Sequence, residues 1–171
     1  MPFTLWFTGL PQSGKTTLAR IAEKEFRALG LPSQVLDGDE IREVTGFRGF
    51  SPEDRRRHAL YVAYCARLLN DHGVFVAVAL VSPYRNDRQA CRAIIGSAFV
   101  ECFVQCPASV CASRDRKDLY TRAQEGRLLG LTGLDSPYEI PDHPELTFLT
   151  EHEDQETCRR RIVDFLENRH L

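Results

Sequence analysis

Gly9-Leu10-Pro11-Gln12-Ser13-Gly14-Lys15-Thr16 spells a complete GxxxxGKT phosphate-binding loop, entered from the apolar run Phe3-Thr4-Leu5-Trp6-Phe7 and left by a helical pattern. A strand, a glycine-rich turn and a helix N-terminus in that order make an anion cradle. Backbone N–H groups close around phosphate oxygens and the helix dipole adds positive charge. Gly9, Gln12, Ser13, Gly14 and the following Thr17 belong to this cradle. Lys15 is expected on the β and γ phosphates and the Thr16 hydroxyl on Mg²⁺. The competing reading, a glycine-rich turn that binds nothing, does not account for all four fixed positions occurring with both flanks. The chain is therefore expected to bind a nucleoside triphosphate.

Composition narrows the partners. The 171 residues are 43% apolar, with no apolar run long enough to cross a bilayer, which fits one domain over residues 1–171 with its own core. A formal charge of −2 lacks the basic excess of a general nucleic-acid binder. The expected partner is a small nucleotide acceptor met locally, with no nucleic acid and no membrane. Met1-Pro2 runs straight into the first strand without room for a targeting peptide, so the cytoplasm is the expected compartment. Cys65, Cys91, Cys102, Cys106, Cys111 and Cys158 form no CxxC pair, and reduced buried thiols are the simplest reading.

Strand-like and helix-like patterns alternate from end to end. A helix over about residues 15–29 closes at Gly30, and the strand Gln34-Val35-Leu36 runs into Asp37-Gly38-Asp39. Ser51-Pro52-Glu53-Asp54 carries a cap, a proline at the first helical position and a capping box, and opens a long helix ending at Gly73. Its apolar face is expected to be Tyr61, Val62, Cys65, Leu68 and Leu69. The unbroken run Val74 to Val81 reads as a central parallel strand covered on both faces. A helix over about Arg85 to Ile95, a strand from Ala98 to Val104, a polar helical stretch, the strand Leu146 to Leu149 and a last helix carrying Cys158, Ile162, Phe165 and Leu166 complete the pattern. The implied fold is α/β, a parallel sheet wrapped by helices, of the P-loop nucleoside triphosphate hydrolase and kinase type. Ligands of such sheets sit beyond the carboxyl ends of the strands, where Gly9, Asp37 and Ser82 each follow a different strand.

The chemistry has to be assembled there. The most apolar strand ends in Val81-Ser82-Pro83-Tyr84 with no carboxylate, so Asp37 and Asp39 are the candidates for ordering Mg²⁺; an ordinary turn with a helix cap is the alternative. Arg42 lies one helical turn beyond Asp39, which puts an acid and a base toward one ligand or else makes a surface ion pair. Phe50 followed by Arg55 and His58 suits a nucleobase and its phosphate, through stacking and a bidentate guanidinium. The charged segment Arg114-Asp115-Arg116-Lys117-Asp118-Leu119-Tyr120-Thr121-Arg122, followed by the glycine-rich stretch Gly126 to Gly133, reads either as a lid over the transferring phosphoryl group or as an amphipathic surface helix with a loose loop. No NKxD or DxxG motif supports a guanine-nucleotide switch, and an inactive module would be expected to have lost Lys15 or the Asp37–Asp39 pair.

Taken together, GLPQSGKT, LDGDEIR, FSPEDR, VSPYRNDR, KDLYTRA and LTGLDSPYEIPDHPEL resemble, in order and spacing over nearly the whole chain, the adenylylsulfate kinases. The resemblance implies ATP- and Mg²⁺-dependent phosphorylation of the ribose 3′-hydroxyl of adenosine 5′-phosphosulfate. It implies that Lys15, Asp37 and Ser82 are catalytic, that Thr16 and Asp37 hold the metal, and that Arg114 joins the loop on ATP. Asp39, Arg42, Phe50, Arg55, His58, Val81, Ser82, Arg122 and Leu131 would hold the acceptor. It leaves open a homodimer and a functional link to a sulfurylase. Ser82 matches a serine often described as phosphorylated, although direct in-line transfer needs no covalent intermediate. The chain departs from the family pattern at Leu131 in place of Phe, His58 in place of Asn, Thr121-Arg122 in place of Lys-Lys, and a loop between Arg42 and Phe50 that is one residue short. His58, Leu131 and the short loop would read the base. The alternative acceptor is therefore another nucleotide with a sulfate-like tail, such as cytidine diphosphoramidate.

Overall fold

The strands stack in the order β2-β3-β1-β4-β5, and every pairing is parallel. The computed structural model describes residues 1–47, 49–115 and 118–169. Arg116 and Lys117 of the charged segment, and Arg48 of the short loop, lie outside the described residues. The elements run β1 (Thr4–Thr8), α1 (Lys15–Ala28), β2 (Ser33–Asp37), α2 (Gly38–Thr45), α3 (Pro52–Asp71), β3 (Phe75–Ala79), α4 (Arg85–Ile95), β4 (Phe99–Gln105), α5 (Ala108–Ser113), α6 (Leu119–Gln124), β5 (Leu146–Leu149) and α7 (Gln155–Glu167).

Alternation along β1 decides which helices go where. Leu5 and Phe7 point to one face, where α1 and α7 cover them with Leu18, Ala22, Phe26, Ile162 and Leu166; Trp6 points to the other, under α3 and α4. Both faces are thus buried, as the unbroken apolar runs require. The middle strand is β1. The run expected to be central is only five residues of strand, between β2 and β1, because the chain leaves the sheet at Leu80 to build the Ser82 loop. The register places Asp37 opposite Ala79 and Ala79 opposite Phe7, so three strands stop in line. Asp37 is the last residue of β2 and also the N-cap of α2, its Oδ1 accepting from the Asp39 N–H at 2.9 Å. Strand, cap and helix therefore share the tripeptide that could have been a simple turn.

The helix α3 starts as expected, with Ser51 Oγ accepting from the Asp54 N–H, but its expected apolar face is rotated. The residues turned inward are His58, Ala59, Val62, Ala63 and Ala66, while Tyr61, Tyr64 and Leu68 are 42%, 54% and 42% exposed. Small side chains let the helix lie close to the sheet and to α4, so close approach outweighs the size of the apolar groups in choosing the face. The six cysteines are free thiols; burial raises Cys91 to about 12 and Cys102 well above the ordinary thiol range. Cys106 and Cys111 share a small cluster with Tyr120 and Leu131, while Cys102 belongs to the main core.

His58 is 1% exposed, and its Nε2 donates to the Gly38 carbonyl at 3.1 Å. Burial, and then the Arg42 charge, lower its pKa from 6.5 to about 4. The unfolded chain therefore takes up this proton first as pH falls. The contribution is intact above about 6.5 and is lost between there and about 4, by up to about 1.4 kcal/mol per pH unit. His58→Gln keeps an N–H for the Gly38 carbonyl and cannot be protonated, so it should flatten the acid limb of stability. Urea unfolding midpoints measured at neutral pH and near the acid end of that window, in both proteins, check this; parallel pH profiles would contradict it.

Candidate active site

The phosphate loop is held from outside by its carbonyl groups. The Lys15 ammonium donates to the Leu10 carbonyl at 2.6 Å, the Tyr120 hydroxyl to the Pro11 carbonyl at 3.1 Å, and the Thr150 hydroxyl to the Ser13 carbonyl at 2.8 Å. Tying the carbonyls outward turns the intervening N–H groups toward the concave side, where an anion would sit. Gly9 is required by close approach: a Cβ there would lie 2.4 Å from the Val104 carbonyl oxygen of β4. Gln12 and Gly14 adopt positive φ of 63° and 105°, which bends the loop back on itself before α1 begins.

A cavity of about 1260 Å³ opens over this loop and the ends of β2 and β3. Of the residues singled out from the sequence, Gln12, Ser13, Gly14, Lys15, Thr16, Thr17, Asp37, Asp39, Arg42, Phe50, Arg55, His58, Val81, Ser82, Arg114 and Leu131 line it. Gly9 lies one layer below, as just described. Arg122 is not among the lining residues and is exposed, because α6 turns Tyr120 inward onto Pro11 and so carries Arg122 to its outer side.

Thr16 Oγ1 donates to Asp37 Oδ2 at 2.7 Å. A hydroxyl and a carboxylate oxygen, both hard donors, therefore meet beside the phosphate cradle, and this pair fits the needs of Mg²⁺. On the acceptor side the guanidinium groups of Arg42 and Arg55 lie 4.7 Å and 5.5 Å from the centre of the Phe50 ring. Burial, reinforced for Arg42 by the Arg55 charge, pulls both below the ordinary guanidinium range. Arg42 also donates to the Phe47 and Gly49 carbonyls at 2.8 and 2.9 Å, and Arg55 to the Phe50 and Gly130 carbonyls at 2.9 and 2.6 Å. Arg42, the base of the expected acid–base pair, thus braces the loop that carries Phe50.

Ser82 has a backbone φ of 38° and a hydroxyl engaged from two sides. Trp6 Nε1 donates to its Oγ at 3.0 Å, and the Oγ donates to Thr8 Oγ1 at 3.0 Å. Thr8 in turn donates to the Val81 carbonyl at 2.8 Å and pairs with the Tyr138 hydroxyl at 2.9 Å. Arg88, 3% exposed and paired with Glu101 at 2.7 Å, donates to the Ser82 carbonyl at 2.8 Å. Ser82 thus lines the pocket and is held from behind by Trp6, Thr8 and Arg88.

The charged segment has settled against the loop. Both carboxylate oxygens of Asp115 cap α6, accepting from the Leu119 and Tyr120 N–H groups at 2.9 and 2.7 Å. Leu131 is 7% exposed in the cluster of Cys106, Cys111 and Tyr120 beneath the segment, so it offers the cavity an edge and not an open stacking face. Arg114 reaches the Thr150 carbonyl at 2.6 Å. Thr150, Tyr120 and Arg88 escaped the sequence reading. Arg88 stands in the VSPYRNDR block, but a positioning role for Thr150 has no local signal, since it depends on β5 ending beside the loop.

The family model described as Adenylylsulphate kinase matches residues 1–149. An adenylyl-sulfate kinase of Geotalea daltonii is 43% identical over 172 residues, spanning 99% of this chain and 85% of the relative. One from a Synechococcus species is also 43% identical, over 167 residues, with 97% and 95% covered. Among solved structures, the Mycobacterium tuberculosis APS kinase in complex with AMPPNP and APS superposes with a TM-score of 0.92 at 35% identity, covering 97% of this chain and 98% of that one. With the phosphate loop, the paired carboxylates and the arginine-flanked aromatic on one sheet edge, and relatives of this similarity along almost its full length, the chain belongs to the adenylylsulfate kinase family of P-loop kinases.

Proposed function

We propose that the chain transfers the γ-phosphoryl group of ATP to the ribose 3′-hydroxyl of adenosine 5′-phosphosulfate, giving 3′-phosphoadenosine 5′-phosphosulfate and ADP. One observation carries the reading: a complete phosphate cradle and a dicationic aromatic pocket face the same cavity, in a chain superposing on a kinase solved with AMPPNP and APS. In the transfer the acceptor oxygen bonds to the γ-phosphorus, the bond from that phosphorus to the β–γ bridging oxygen breaks, and the hydroxyl proton leaves to a nearby base or water.

The residues divide by position. Lys15, swung from the Leu10 carbonyl, and the loop N–H groups would hold the phosphates, with Arg114 beside them. Thr16 and Asp37 are the pair that would hold Mg²⁺, which when bound neutralises phosphate charge. Asp39, Arg42, Phe50 and Arg55 would receive the acceptor, its base on the Phe50 ring and its anionic tail near the two guanidinium groups. His58, Val81, Ser82 and Leu131 would shape the pocket, and Arg122 has no part in it. The acceptor is a mixed phosphate–sulfate anhydride and has to come from nucleotidyl transfer to sulfate, so a sulfurylase upstream and a cytoplasmic setting complete the reading.

Three outcomes test it. Lys15→Ala should abolish ATP-dependent phosphorylation of the acceptor, followed by ADP release, while leaving the thermal transition in place, because the lysine neutralises charge on the transferring group. Ser82→Ala should keep measurable turnover, and wild-type protein incubated with ATP alone should carry no stable phosphoserine by mass spectrometry. Comparison of kcat/KM for adenosine 5′-phosphosulfate with that for a cytidine acceptor should favour the adenine compound; a strong preference for cytidine would overturn the acceptor while leaving the kinase chemistry intact.

A further inference from the structure

Cys106 and Cys111 are brought together by the way β4 hands the chain to α5. The strand ends at Gln105, Pro107 is the cap residue of α5, and the Cys111 N–H closes the first turn on the Pro107 carbonyl at 3.0 Å. Cys106 therefore stands just before the cap and Cys111 one turn inside, two positions whose side chains pack on each other where a helix begins. Cys111 Sγ donates to the Cys106 carbonyl at 3.9 Å, and the two thiols lie within hydrogen-bond reach of each other. Cys102, by contrast, donates to the Val100 carbonyl at 3.8 Å inside the main core. Access to the pair is unequal. Cys106 lines a further cavity of about 780 Å³ at the ends of β4 and β5, whereas Cys111 is 0% exposed.

Each sulfur also touches a support of the nucleotide site. The Arg114 guanidinium donates to Cys106 Sγ at 3.7 Å while reaching the Thr150 carbonyl, and Cys111 is in hydrogen-bond contact with Tyr120, whose hydroxyl anchors Pro11. We propose that Cys106 and Cys111 are a peroxide-sensitive dithiol whose reversible disulfide weakens nucleotide binding at the phosphate loop. Cys106, as thiolate, attacks one oxygen of hydrogen peroxide entering from the cavity; the O–O bond breaks, hydroxide leaves with the proton that Cys106 released, and Cys106 becomes a sulfenic acid. The Cys111 sulfur then attacks the Cys106 sulfur, the S–O bond breaks, and the departing hydroxide takes the Cys111 proton as water. Two thiols and one peroxide give one disulfide and two waters, with two electrons passing from sulfur to peroxide oxygen. Burial, and then the neighbouring Cys106 side chain, push the Cys111 thiol up to about 12, so it stays protonated while Cys106 reacts. A disulfide draws its sulfurs to about 2.05 Å. Cys106 is thereby turned from Arg114 and Cys111 from Tyr120, which loosens a cation of the site and an anchor of the loop together. The inference rests on nucleotide binding at the loop and is independent of the acceptor.

Treatment of the folded full chain with hydrogen peroxide, followed by alkylation in denaturant and peptide mass mapping, tests the chemistry without any substrate. The wild type should lose two hydrogens across Cys106 and Cys111 while its other cysteines are alkylated, and dithiothreitol should return all six thiols. Cys106→Ser should form no disulfide, and Cys111→Ser should stop at a Cys106 sulfenic acid that dimedone traps; thermal melting confirms that both variants are folded. In calorimetric titration with AMPPNP, the oxidised wild type should bind about tenfold more weakly than the reduced, the loss of one contact to a charged group, and should recover on reduction. Cys106→Ser should bind as the reduced wild type does, with or without peroxide. A wild type that keeps six free thiols, or links a different pair, overturns the proposal. A Cys106–Cys111 disulfide that leaves AMPPNP affinity unchanged overturns the control of the loop. The mass map needs no nucleotide, and the reduced protein supplies the reference titration, so failure here is distinct from failure of the kinase reading.

Discussion

The catalytic edge depends on how the phosphate loop is anchored from behind. The carbonyl groups of Pro11 and Ser13 are engaged by Tyr120 and Thr150, and Gly9 is pressed onto the Val104 carbonyl. A loop held in this way presents N–H groups to an anion without having to reorganise when the anion arrives, which is what electrostatic preorganisation means for phosphoryl transfer. The anchors come from α6 and the end of β5, elements far from the loop in sequence. The loop is therefore a local motif with a global support.

The same economy operates across the cavity. The Ser82 loop leaves β3 with a positive φ and is kept there by the Trp6, Thr8 and Arg88 contacts, so the pocket wall is fixed by the core beneath it. Arg88 lies among the most buried charges of the described residues and is matched by Glu101 and two backbone carbonyls. A buried guanidinium with its donors satisfied is tolerated, and it links α4, β4, the Ser82 loop and residue 139. Arg55, by reaching the Gly130 carbonyl, joins the acceptor side to the segment that covers the loop. The two halves of the site thus meet through backbone groups.

Strand and helix patterns transferred well from sequence to structure wherever one periodicity dominated. The strands around β1, the cap of α3 and the helix ending at Gly30 follow from local chemistry that needs no tertiary partner. The face of α3 followed only in part: Val62 and Leu69 face the core as expected, but counting apolar mass also favours Tyr61 and Leu68, whereas the fold needed small residues where the helix approaches the sheet. Arg122 lies away from the cavity lining for a similar reason. Its charge suggested a role, but the inward turn of Tyr120 fixed the rotation of the short helix that carries both.

Sequence alone determined the phosphate loop and the alternating α/β order, since each is written in contiguous residues with a known conformational preference. Tertiary structure alone decided which oxygen of Asp37 meets Thr16, that the Ser82 hydroxyl is held by Trp6 and Thr8, and that His58 is shut away as a neutral imidazole. Those outcomes depend on distances between residues up to 76 positions apart in the chain. Hydrogen-bond partners and burial are set by how the strands come into register, and no local pattern encodes that register.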